Sequence, residues 1–461
     1  MVSAPVAYDI EIDLAEAGDD LDIRRHGLGQ GGFDDGPLTP PVIERVRALG
    51  PRTFRLFVQE YFRMLPSPGR YHWETIDAAL RSVAATGARP LLSLCMKPGC
   101  LYPTIDHSIT RPTDWAHWEQ FITATVEHFR RDLTMPGLWY EISNEPDLGE
   151  PGGSPYLFTG EDYGEYYCRT VRAVLRGDGE AKVGGPALAG VSGERAQAII
   201  HALARRARAD KLPVDFFSWH GYRQSGEDLS ELFQTARRCL AEAGEPLASA
   251  ATSFNEWNIG TAPVQPGEFA QAAFVADAVS RMVEAGIDSS NYYHVMDMAV
   301  DLDKLRPWMS PGGLELMADV WHTAYRSLHM MTPAGEPTAA YTAFRMLYQL
   351  EGRRVCVPRP APEVGVMAVR TDGGARLLVW NYHHERLVPV EVALRVAGLP
   401  ARELTETHYA LGAEFSRGER LRQMRGGELP LVESRGRPKG PTCARTLTVA
   451  PYSLHLLVVE L

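Results

Sequence analysis

Two short stretches of the chain place a glutamate beside an asparagine directly after an apolar run. In 141-EISNEPDLGE-150, Glu145 lies between Asn144 and a proline. In 251-ATSFNEWNIG-260, Glu256 follows a second asparagine. Two carboxylates on either side of a bond can divide acid and base work, because one protonates a leaving oxygen while the other attacks or activates water. We therefore interpret Glu145 and Glu256 as one candidate catalytic pair.

Both stretches belong to a longer alternation of short apolar runs and helical patterns. Segments 73–87, 113–129 and 269–286 repeat apolar residues at helical spacing. Between the helical segments lie eight strand-like runs, at 26–30, 53–58, 89–95, 137–143, 181–185, 214–219, 247–254 and 290–298. Strands that alternate with helices in this way predict an α/β fold, here a (β/α)8 TIM barrel.

The predicted barrel brings the two glutamates together. Catalytic groups of such barrels lie at the carboxyl ends of the strands. By this count Glu145 ends the fourth strand and Glu256 ends the seventh, so both are expected at the same mouth. A neighbouring negative charge and partial burial are expected to raise the pKa of Glu145, as a general acid requires.

The remaining segments predict a second, smaller unit. Residues 353–461 contain short alternating runs broken by glycine and proline, which is typical of a β-sandwich. Residues 1–20 contain an alternating strand that is expected to join this C-terminal accessory sandwich. The catalytic barrel is then assigned to residues 21–352.

Composition excludes several classes of partner. The 461 residues carry a formal charge of -11 without long runs of one sign, so neither nucleic acid nor an anionic membrane surface is expected as a partner. No apolar run reaches the roughly 20 residues of a membrane span. The N-terminus resembles no signal peptide and the six cysteines are scattered, so we predict a cytoplasmic protein. The sandwich offers a contact surface for a homo-oligomer.

Two other barrel or sheet chemistries find little support. The stretch 27-GLGQGG-32 matches a dinucleotide-binding motif in letters, but the acidic residue expected further on is Glu44, inside a predicted helix. A metal-dependent barrel hydrolase would need a His-x-His motif near the first strand, where the chain offers only His26. We therefore predict neither a cofactor nor a metal.

Several motifs resemble those of a known enzyme family. The stretches YEISNEPD and SFNEWN are similar to the acid/base and nucleophile motifs of clan A glycoside hydrolases, which are retaining (β/α)8 enzymes. Family 39 of that clan, which contains β-xylosidases and α-L-iduronidases, is indicated by VDFFSWHGY (214–222), VGGPALAG (183–190) and AYTAFRMLYQL (340–350). The resemblance covers about residues 27–352.

The resemblance implies roles for individual residues. Glu145 would be the acid/base, Glu256 the nucleophile, and Asn144 a contact to the sugar 2-hydroxyl. His220 and Tyr222 would line the site, with Tyr222 donating a hydrogen bond to Glu256. Since the family retains configuration, the two carboxylates are expected about 5 Å apart.

The chain departs from the family pattern in two places. Where the family's xylosidases carry Arg-x-His after the second strand, this chain has Arg55, Leu56 and Phe57. Around the eighth strand, where they carry a tryptophan and a Glu-Glu pair, the row reads YYHVMDMAVD (292–301). Those positions contact sugar hydroxyls in the family.

Several further residues are candidates either for substrate contact or for a structural role. Arg55 is expected either to orient the nucleophile or to form a structural ion pair, and Lys97 either to contact substrate or to form a loop salt bridge. Trp257 is either a sugar-stacking face or ordinary core. The remaining candidates for substrate contact are Gln59, His294 and Asp297, with Asp34, Asp35, Glu60 and Trp308 as further mouth or lid residues.

Taken together, the residues predict a retaining exo-glycosidase. Its substrate is expected to be a small glycoside or an oligosaccharide end with a xylose-, arabinose- or uronic-type sugar. Two alternatives stay open, namely a clan A glycanase that cuts within a polysaccharide and a carbohydrate-binding barrel without catalytic activity.

Overall fold

Eight parallel strands close into a barrel in the computed structural model, which describes residues 6–32, 35–260, 267–320, 328–437 and 440–460. An N-terminal strand, β1 (Val6–Asp13), precedes them. The barrel strands follow in chain order: β2 (His26–Gln30), β3 (Thr53–Val58), β4 (Arg89–Leu94), β5 (Trp139–Ile142), β6 (Lys182–Leu188), β7 (Phe216–Arg223), β8 (Ala251–Ile259) and β9 (Ser289–Tyr293). The predicted TIM barrel is confirmed.

Helices surround the barrel, and polar side chains cap several of them. The Asp114 carboxylate accepts hydrogen bonds from the Ala116 and His117 amides, and Thr159 caps the next long helix in the same way. The helices are α1 (Pro40–Leu49), α2 (Glu74–Ala84), α3 (Trp115–Arg131), α4 (Gly160–Gly177), α5 (Glu194–Asp210), α6 (Gly226–Ala243), α7 (Glu268–Ala285), α8 (Leu302–Leu305), α9 (Pro311–Val320), α10 (Ala339–Leu347) and α11 (Gly418–Arg425).

The C-terminal strands form two facing sheets. They are β10 (Arg353–Val355), β11 (Val364–Arg370), β12 (Ala375–Asn381), β13 (Val390–Ala397), β14 (Leu404–Leu411), β15 (Leu431–Arg437), β16 (Thr442–Val449) and β17 (Leu454–Glu460). One sheet has the order β10-β11-β12-β17-β14-β15, and the other has the order β1-β13-β16. The N-terminal strand therefore pairs with the sandwich, in parallel with β13.

Barrel and sandwich share a core. The alternating side chains of β12 and β17 pack between the two sheets with one set and against the barrel with the other, where Trp380 and Leu456 join the barrel core. Helix α7 lies between the two units and is buried along most of its length. Its Asp277 accepts hydrogen bonds from Arg281, Arg359 and the Trp380 indole, which ties the units together.

The predicted strand boundaries differ most from the structure at the seventh and eighth barrel strands. The seventh barrel strand was expected at 247–254 but runs from Ala251 to Ile259, because residues 247–250 form a turn in which Leu247 and Ala248 donate to the Gly244 carbonyl. The eighth ends early, at Tyr293. Beyond it, the Gln30 side chain bonds both the amide and the carbonyl of Met296 and so takes the place of a neighbouring strand.

Within the described ranges, no helix is long and apolar enough to cross a membrane.

Two buried histidines in the sandwich generate a prediction about acid stability. His408 Nε2 lies 3.0 Å from His455 Nδ1, and burial lowers the pKa of His408 to about 4 and that of His455 to about 3. Between those values and about 6.5, the unfolded chain binds protons that the folded chain does not, so stability is lost as pH falls through this range.

We expect the free energy of unfolding, measured by urea titration at pH 7, 6, 5 and 4, to fall less steeply in His455→Gln than in wild type. The difference in slope should reach up to about 1.4 kcal/mol per pH unit. His201→Gln, which changes an exposed histidine of α5, serves as the control and should keep the wild-type slope. Equal slopes in all three proteins would contradict the prediction.

Candidate active site

Glu145 lies three residues beyond β5, in a turn whose backbone is fixed by its neighbours. Its amide donates to the Ala187 carbonyl of β6 at 2.8 Å, and its own carbonyl accepts from the amides of Leu148 and Gly149. The residue has a φ of 41°, in the left-handed region that residues other than glycine rarely adopt. Such conformations persist only where surrounding contacts impose them, and they concentrate at functional sites.

Glu256 reaches the same mouth with the help of a β-bulge in β8. Trp219 of β7 pairs with Phe254 and His220 pairs with Glu256, so Asn255 is an extra residue between two regular pairs. A bulge bends its strand and re-aims the side chains beside it. As a result Asn255 and Glu256, although consecutive, both face into the barrel, where Asn255 bonds Glu141.

The guanidinium of Arg55 joins the two catalytic stretches. It donates to Glu256 Oε2 at 2.8 Å, to Glu141 Oε2 at 2.8 Å through Nε, and to Asn144 Oδ1 at 2.7 Å. Its side chain is 2% exposed, so these contacts are shielded from water. Arg55 was predicted either to orient Glu256 or to form a structural ion pair. The same guanidinium does both, because it bonds Glu256 and also pairs with the buried Glu141.

The carboxylates around Arg55 are further satisfied by neutral donors. The Tyr222 hydroxyl donates to Glu256 Oε1 at 2.8 Å. Ser218 Oγ donates to Glu141 Oε1 at 2.6 Å. Buried charges of this kind are tolerated only when their lone pairs are bonded, which explains why β7 supplies hydroxyl groups here.

Glu145 has the environment of a protonated acid. Burial raises the pKa of Glu145 well above its usual range, and the nearby charges of Glu256 and Asp147 raise it further. His220 Nδ1 lies 2.7 Å from Glu145 Oε1. Burial and the charge of Arg55 hold the pKa of His220 well below its usual value, so this partner is a neutral imidazole and places no positive charge beside Glu145.

Glu256 has an environment that favours its ionised form by comparison. Burial raises the pKa of Glu256, but the charge of Arg55 and the hydrogen bonds from Tyr222 and Arg55 oppose the rise. Because Arg55 bonds Glu256 directly, the pKa of Glu256 is expected to lie below that of Glu145.

The two carboxyls are close. One oxygen of Glu145, one of Glu256 and a ring nitrogen of His220 all lie within 4.8 Å of one another. Such a trio of ligand atoms could hold a metal ion. Here, however, the His220 nitrogen bonds Glu145 directly and Arg55 already neutralises Glu256, so the contacts present are those of an acid–base pair.

The pair opens into a cleft of about 190 Å³. Four of the residues predicted at the site line this cleft: Glu145, Glu256, Tyr222 and Gln59. Gln59 Nε2 donates to the Gly153 carbonyl at 2.9 Å, while its buried Oε1 has no partner among the described residues. Asn144 lies beneath the lining, with Nδ2 donating to the Gly152 carbonyl at 3.2 Å.

Trp257 and Lys97 were candidates for substrate contact with a structural role as the alternative, and both lie outside the cleft lining. Trp257 is fully buried and packs against Phe254, Tyr292 and Phe344 on the helix side of the barrel, because strand alternation turns it away from the face that Glu256 occupies. Lys97 is 3% exposed and donates to the carbonyls of Asp106 and Pro155, so it braces two loops.

The strand-eight candidates also lie outside the cleft lining. His294 is fully buried and its Nδ1 lies 3.0 Å from the Met296 carbonyl. Asp297 lies 3.7 Å from His329. Tyr293 is the residue of this row that lines the cleft, since it is the inward-facing neighbour of His294. Asp34 falls outside the described residues.

The other mouth and lid candidates form loop contacts. Asp35 pairs with Lys304. Glu60 is almost completely buried in a 3-10 turn, where burial raises its pKa to about 8. Trp308 is 3% exposed and lies below the surface of the 301–320 segment.

Some residues that line the cleft were not predicted from the sequence. Gly152 packs against the Glu145 carboxyl so closely that a Cβ atom there would meet Oε2 at 1.7 Å, and the pair Gly152-Gly153 in GEPGGSP was the available clue. Phe57 faces the cleft two residues after Arg55, where the family pattern has histidine. Met317 of α9 also lines the cleft, although it is far from both motifs in sequence.

A family comparison decides the class of the protein. The model of the glycosyl hydrolases of family 39 matches residues 62–388, which is most of the chain. The chain belongs to family 39 of the glycosyl hydrolases. This family 39 protein is thus a glycoside hydrolase, with a carbohydrate as its substrate.

Individual relatives agree with that assignment. A β-xylosidase of Geobacillus stearothermophilus is 24% identical over 422 residues, which cover 85% of this chain and 76% of the relative. A β-xylosidase of Caldicellulosiruptor saccharolyticus is 25% identical over 342 residues, or 68% of this chain and 64% of the relative. The crystal structure of a family 39 enzyme from Xanthomonas axonopodis pv. citri has the same fold, with a TM-score of 0.76, 18% identity, and coverage of 100% of this chain and 98% of that one.

The hydrogen bond from Tyr222 to Glu256 generates a prediction about the pH profile. In Tyr222→Phe the pKa of Glu256 should rise further, so that the acidic limb of kcat/KM moves to higher pH. The plateau value should fall about tenfold or more, because a hydrogen bond to a charged group is lost. The measurement is kcat/KM between pH 4 and 9 on a nitrophenyl glycoside that the enzyme cleaves.

Tyr293→Phe is the matched control. Tyr293 lines the same cleft, but its hydroxyl donates to the Gly31 carbonyl at 2.8 Å. Its loss should leave the acidic limb in place. A limb that stays unmoved in Tyr222→Phe, or that moves equally in both variants, would contradict the role assigned to Tyr222.

Proposed function

We propose that the protein is a retaining exo-glycosidase that releases a terminal sugar by double displacement. The observation that carries this proposal is the close pair of carboxyls in unlike environments, with oxygens of Glu145 and Glu256 within 4.8 Å. Retaining enzymes need their two carboxyls about 5–5.5 Å apart, whereas inverting enzymes need a wider gap of about 6.5–9.5 Å to hold a water molecule.

In the first step, Glu256 attacks the anomeric carbon while Glu145 protonates the departing oxygen. The bond from carbon to the leaving oxygen breaks as the bond to Glu256 forms, and the proton of Glu145 leaves with the alcohol. Arg55 and Tyr222 hold Glu256 with one oxygen each, which fixes the orientation of the carboxylate before the substrate arrives.

In the second step, Glu145, now ionised, takes a proton from water. The resulting attack on the anomeric carbon breaks the bond to Glu256 and frees the sugar with its original configuration. Glu145 thus ends the cycle protonated, which is the state that its buried environment favours.

Three groups are proposed to read the sugar. Asn144 Nδ2 carries a second hydrogen beyond the one given to Gly152, and we assign it to the 2-hydroxyl. The buried Gln59 Oε1 and His220 Nε2 have no partners among the described residues, as expected for atoms that bond a ligand hydroxyl.

The exo mode is supported by the segment that follows β9. Ser310 donates to Glu150 through its amide at 2.7 Å and its hydroxyl at 2.6 Å, so the segment is anchored beside the Glu145 turn. Helix α9 continues from this anchor and places Met317 in the cleft lining. A cleft closed on one side accepts a chain end more readily than a chain interior.

The sugar is proposed to be of the xylose type, because the sequence relatives are β-xylosidases. Arabinose-type and uronic-type sugars belong in the test as well. Arg223 lines the cleft, and a guanidinium there is the chemistry that would bind a uronic carboxylate. The homo-oligomer and the cytoplasmic location stay predictions from sequence.

A panel of nitrophenyl glycosides tests the proposal: the β-D-xyloside, α- and β-L-arabinosides in both ring sizes, an α-L-iduronide, and the β-D-glucoside and β-D-galactoside as outgroups. We expect turnover of one sugar. Glu256→Ala and Glu145→Ala should each reduce turnover, and azide should restore activity in both with different products. Azide added to Glu256→Ala should give a glycosyl azide of inverted configuration, and azide added to Glu145→Ala should give one of retained configuration.

Glu161→Ala, a surface substitution on α4, is the control and should keep wild-type activity. Azide products of the same configuration from both glutamate variants would contradict the assigned roles. Silence on the panel together with cleavage inside a xylan chain would favour the endo-acting alternative. Binding of sugars with no hydrolysis of any substrate would favour the carbohydrate-binding barrel.

A further inference from the structure

The leaving group must lie on the side of the cleft where Glu145 lies, because Glu145 delivers the proton to the departing oxygen. This step rests on the proposed function. The side chains around Glu145 therefore decide which alcohol the enzyme releases, while those around Glu256 decide which sugar it holds.

One wall of the cleft surrounds Glu145. It consists of residues from the Glu145 turn, from the end of β6 and from α9, and we call it the Glu145 wall: Leu148, Pro151, Gly152, Ala189 and Met317. Leu148 belongs to this wall because its amide donates to the Glu145 carbonyl, and Gly152 because it contacts the Glu145 carboxyl. Ala189 is held by its amide, which donates to Asp147 at 3.0 Å.

Met317 is the member of the wall that comes from helix α9. Its helix is anchored through Ser310 to Glu150, and a Cβ atom on Gly313 would meet the same Glu150 carboxylate at 2.8 Å. Helix α9 thus packs directly against the turn that contains Gly152. This anchoring sets the distance between Met317 and the Glu145 turn.

The chemistry of the wall is uniform. Within the cleft lining that the structure describes, its members present alkyl groups, a thioether and backbone, with no hydroxyl, amide, charged or aromatic side chain. Other residues of the lining present hydroxyl, guanidinium and aromatic groups, namely Tyr222, whose hydroxyl bonds Glu256, together with Arg223 and Tyr293. Sites that bind a second sugar ring use hydrogen-bonding groups or aromatic faces, and the wall supplies neither from its side chains.

We infer that the Glu145 wall binds an apolar, aliphatic alcohol, so that the enzyme acts on alkyl-type glycosides in preference to oligosaccharides. Leu148 is 44% exposed at the rim, which is an exposed apolar residue where an apolar leaving group would enter. Methionine adapts its shape to irregular apolar partners, so Met317 suits alcohols of varied outline.

The test compares leaving groups of similar acidity and different apolar area. Methyl and hexyl glycosides of the sugar that the nitrophenyl panel identifies are used, with the 1,4-linked disaccharide of that sugar as the polar competitor. We expect kcat/KM for the hexyl glycoside to exceed that for the methyl glycoside by about tenfold or more, since several methylene groups leave water. It should also exceed that for the disaccharide.

Two variants connect the preference to the wall. Leu148→Gln and Met317→Gln should each reduce the ratio of hexyl to methyl kcat/KM at least about threefold, because a polar amide replaces apolar surface. Leu316→Gln is the matched control, since Leu316 is 37% exposed on the same helix and does not line the cleft. Its ratio should equal that of wild type. Because Leu148 is exposed, its substitution leaves the fold intact even if Met317→Gln does not.

The outcomes separate this inference from the proposed function. Silence of the wild type toward every nitrophenyl glycoside and xylan would overturn the glycosidase proposal and this inference with it. Nitrophenyl turnover combined with a hexyl-to-methyl ratio near one would overturn the inference alone. A disaccharide that is cleaved as well as the hexyl glycoside, or a ratio that Leu148→Gln leaves unchanged, would also overturn it.

Discussion

The site depends on the buried guanidinium of Arg55, which lies between two carboxylates. Arg55 contacts Glu141 and Glu256 and also Asn144, so four strands or turns of the barrel meet at one cation. A buried charge is costly unless it is paired and fully bonded. The planar guanidinium of arginine has five N–H donors and can bond several acceptors at once, whereas the ammonium of a lysine is a single point of charge.

The same arrangement separates the two glutamates chemically. Arg55 lies on the side of Glu256, while Glu145 has a neutral imidazole and the Gly152 backbone as its nearest partners. Two identical side chains are therefore expected to differ in pKa, with that of Glu145 the higher, because their surroundings differ. The loop after β9 is anchored to the same region, since the two hydrogen bonds from Ser310 to Glu150 hold α9 against the Glu145 turn.

The barrel and the position of its two glutamates could be predicted from the sequence, whereas features that depend on three-dimensional contacts could not. Periodicity located all the barrel strands, and strand order placed Glu145 and Glu256 at one mouth. The bulge at Asn255 could not be read from letters, because it depends on register with β7. Lys97 was placed at the site because it follows a strand, but it bonds the carbonyl of Asp106, nine residues further on, and that of Pro155 in the loop after β5. Trp257 was recoverable, since alternation turns it away from Glu256.

Burial and the charge of Glu256 are expected to hold one proton of the buried pair on Glu145. The most direct measurement is a carbon-13 carboxyl NMR titration of glutamate-labelled protein, with the two signals assigned from Glu145→Gln and Glu256→Gln. We expect Glu145 to titrate at higher pH than Glu256 in wild type, and the pKa of Glu145 to fall when Glu256→Gln removes the neighbouring charge. Ionisation of Glu145 before Glu256, or an unchanged titration of Glu145 in Glu256→Gln, would contradict the proposed division between acid and nucleophile.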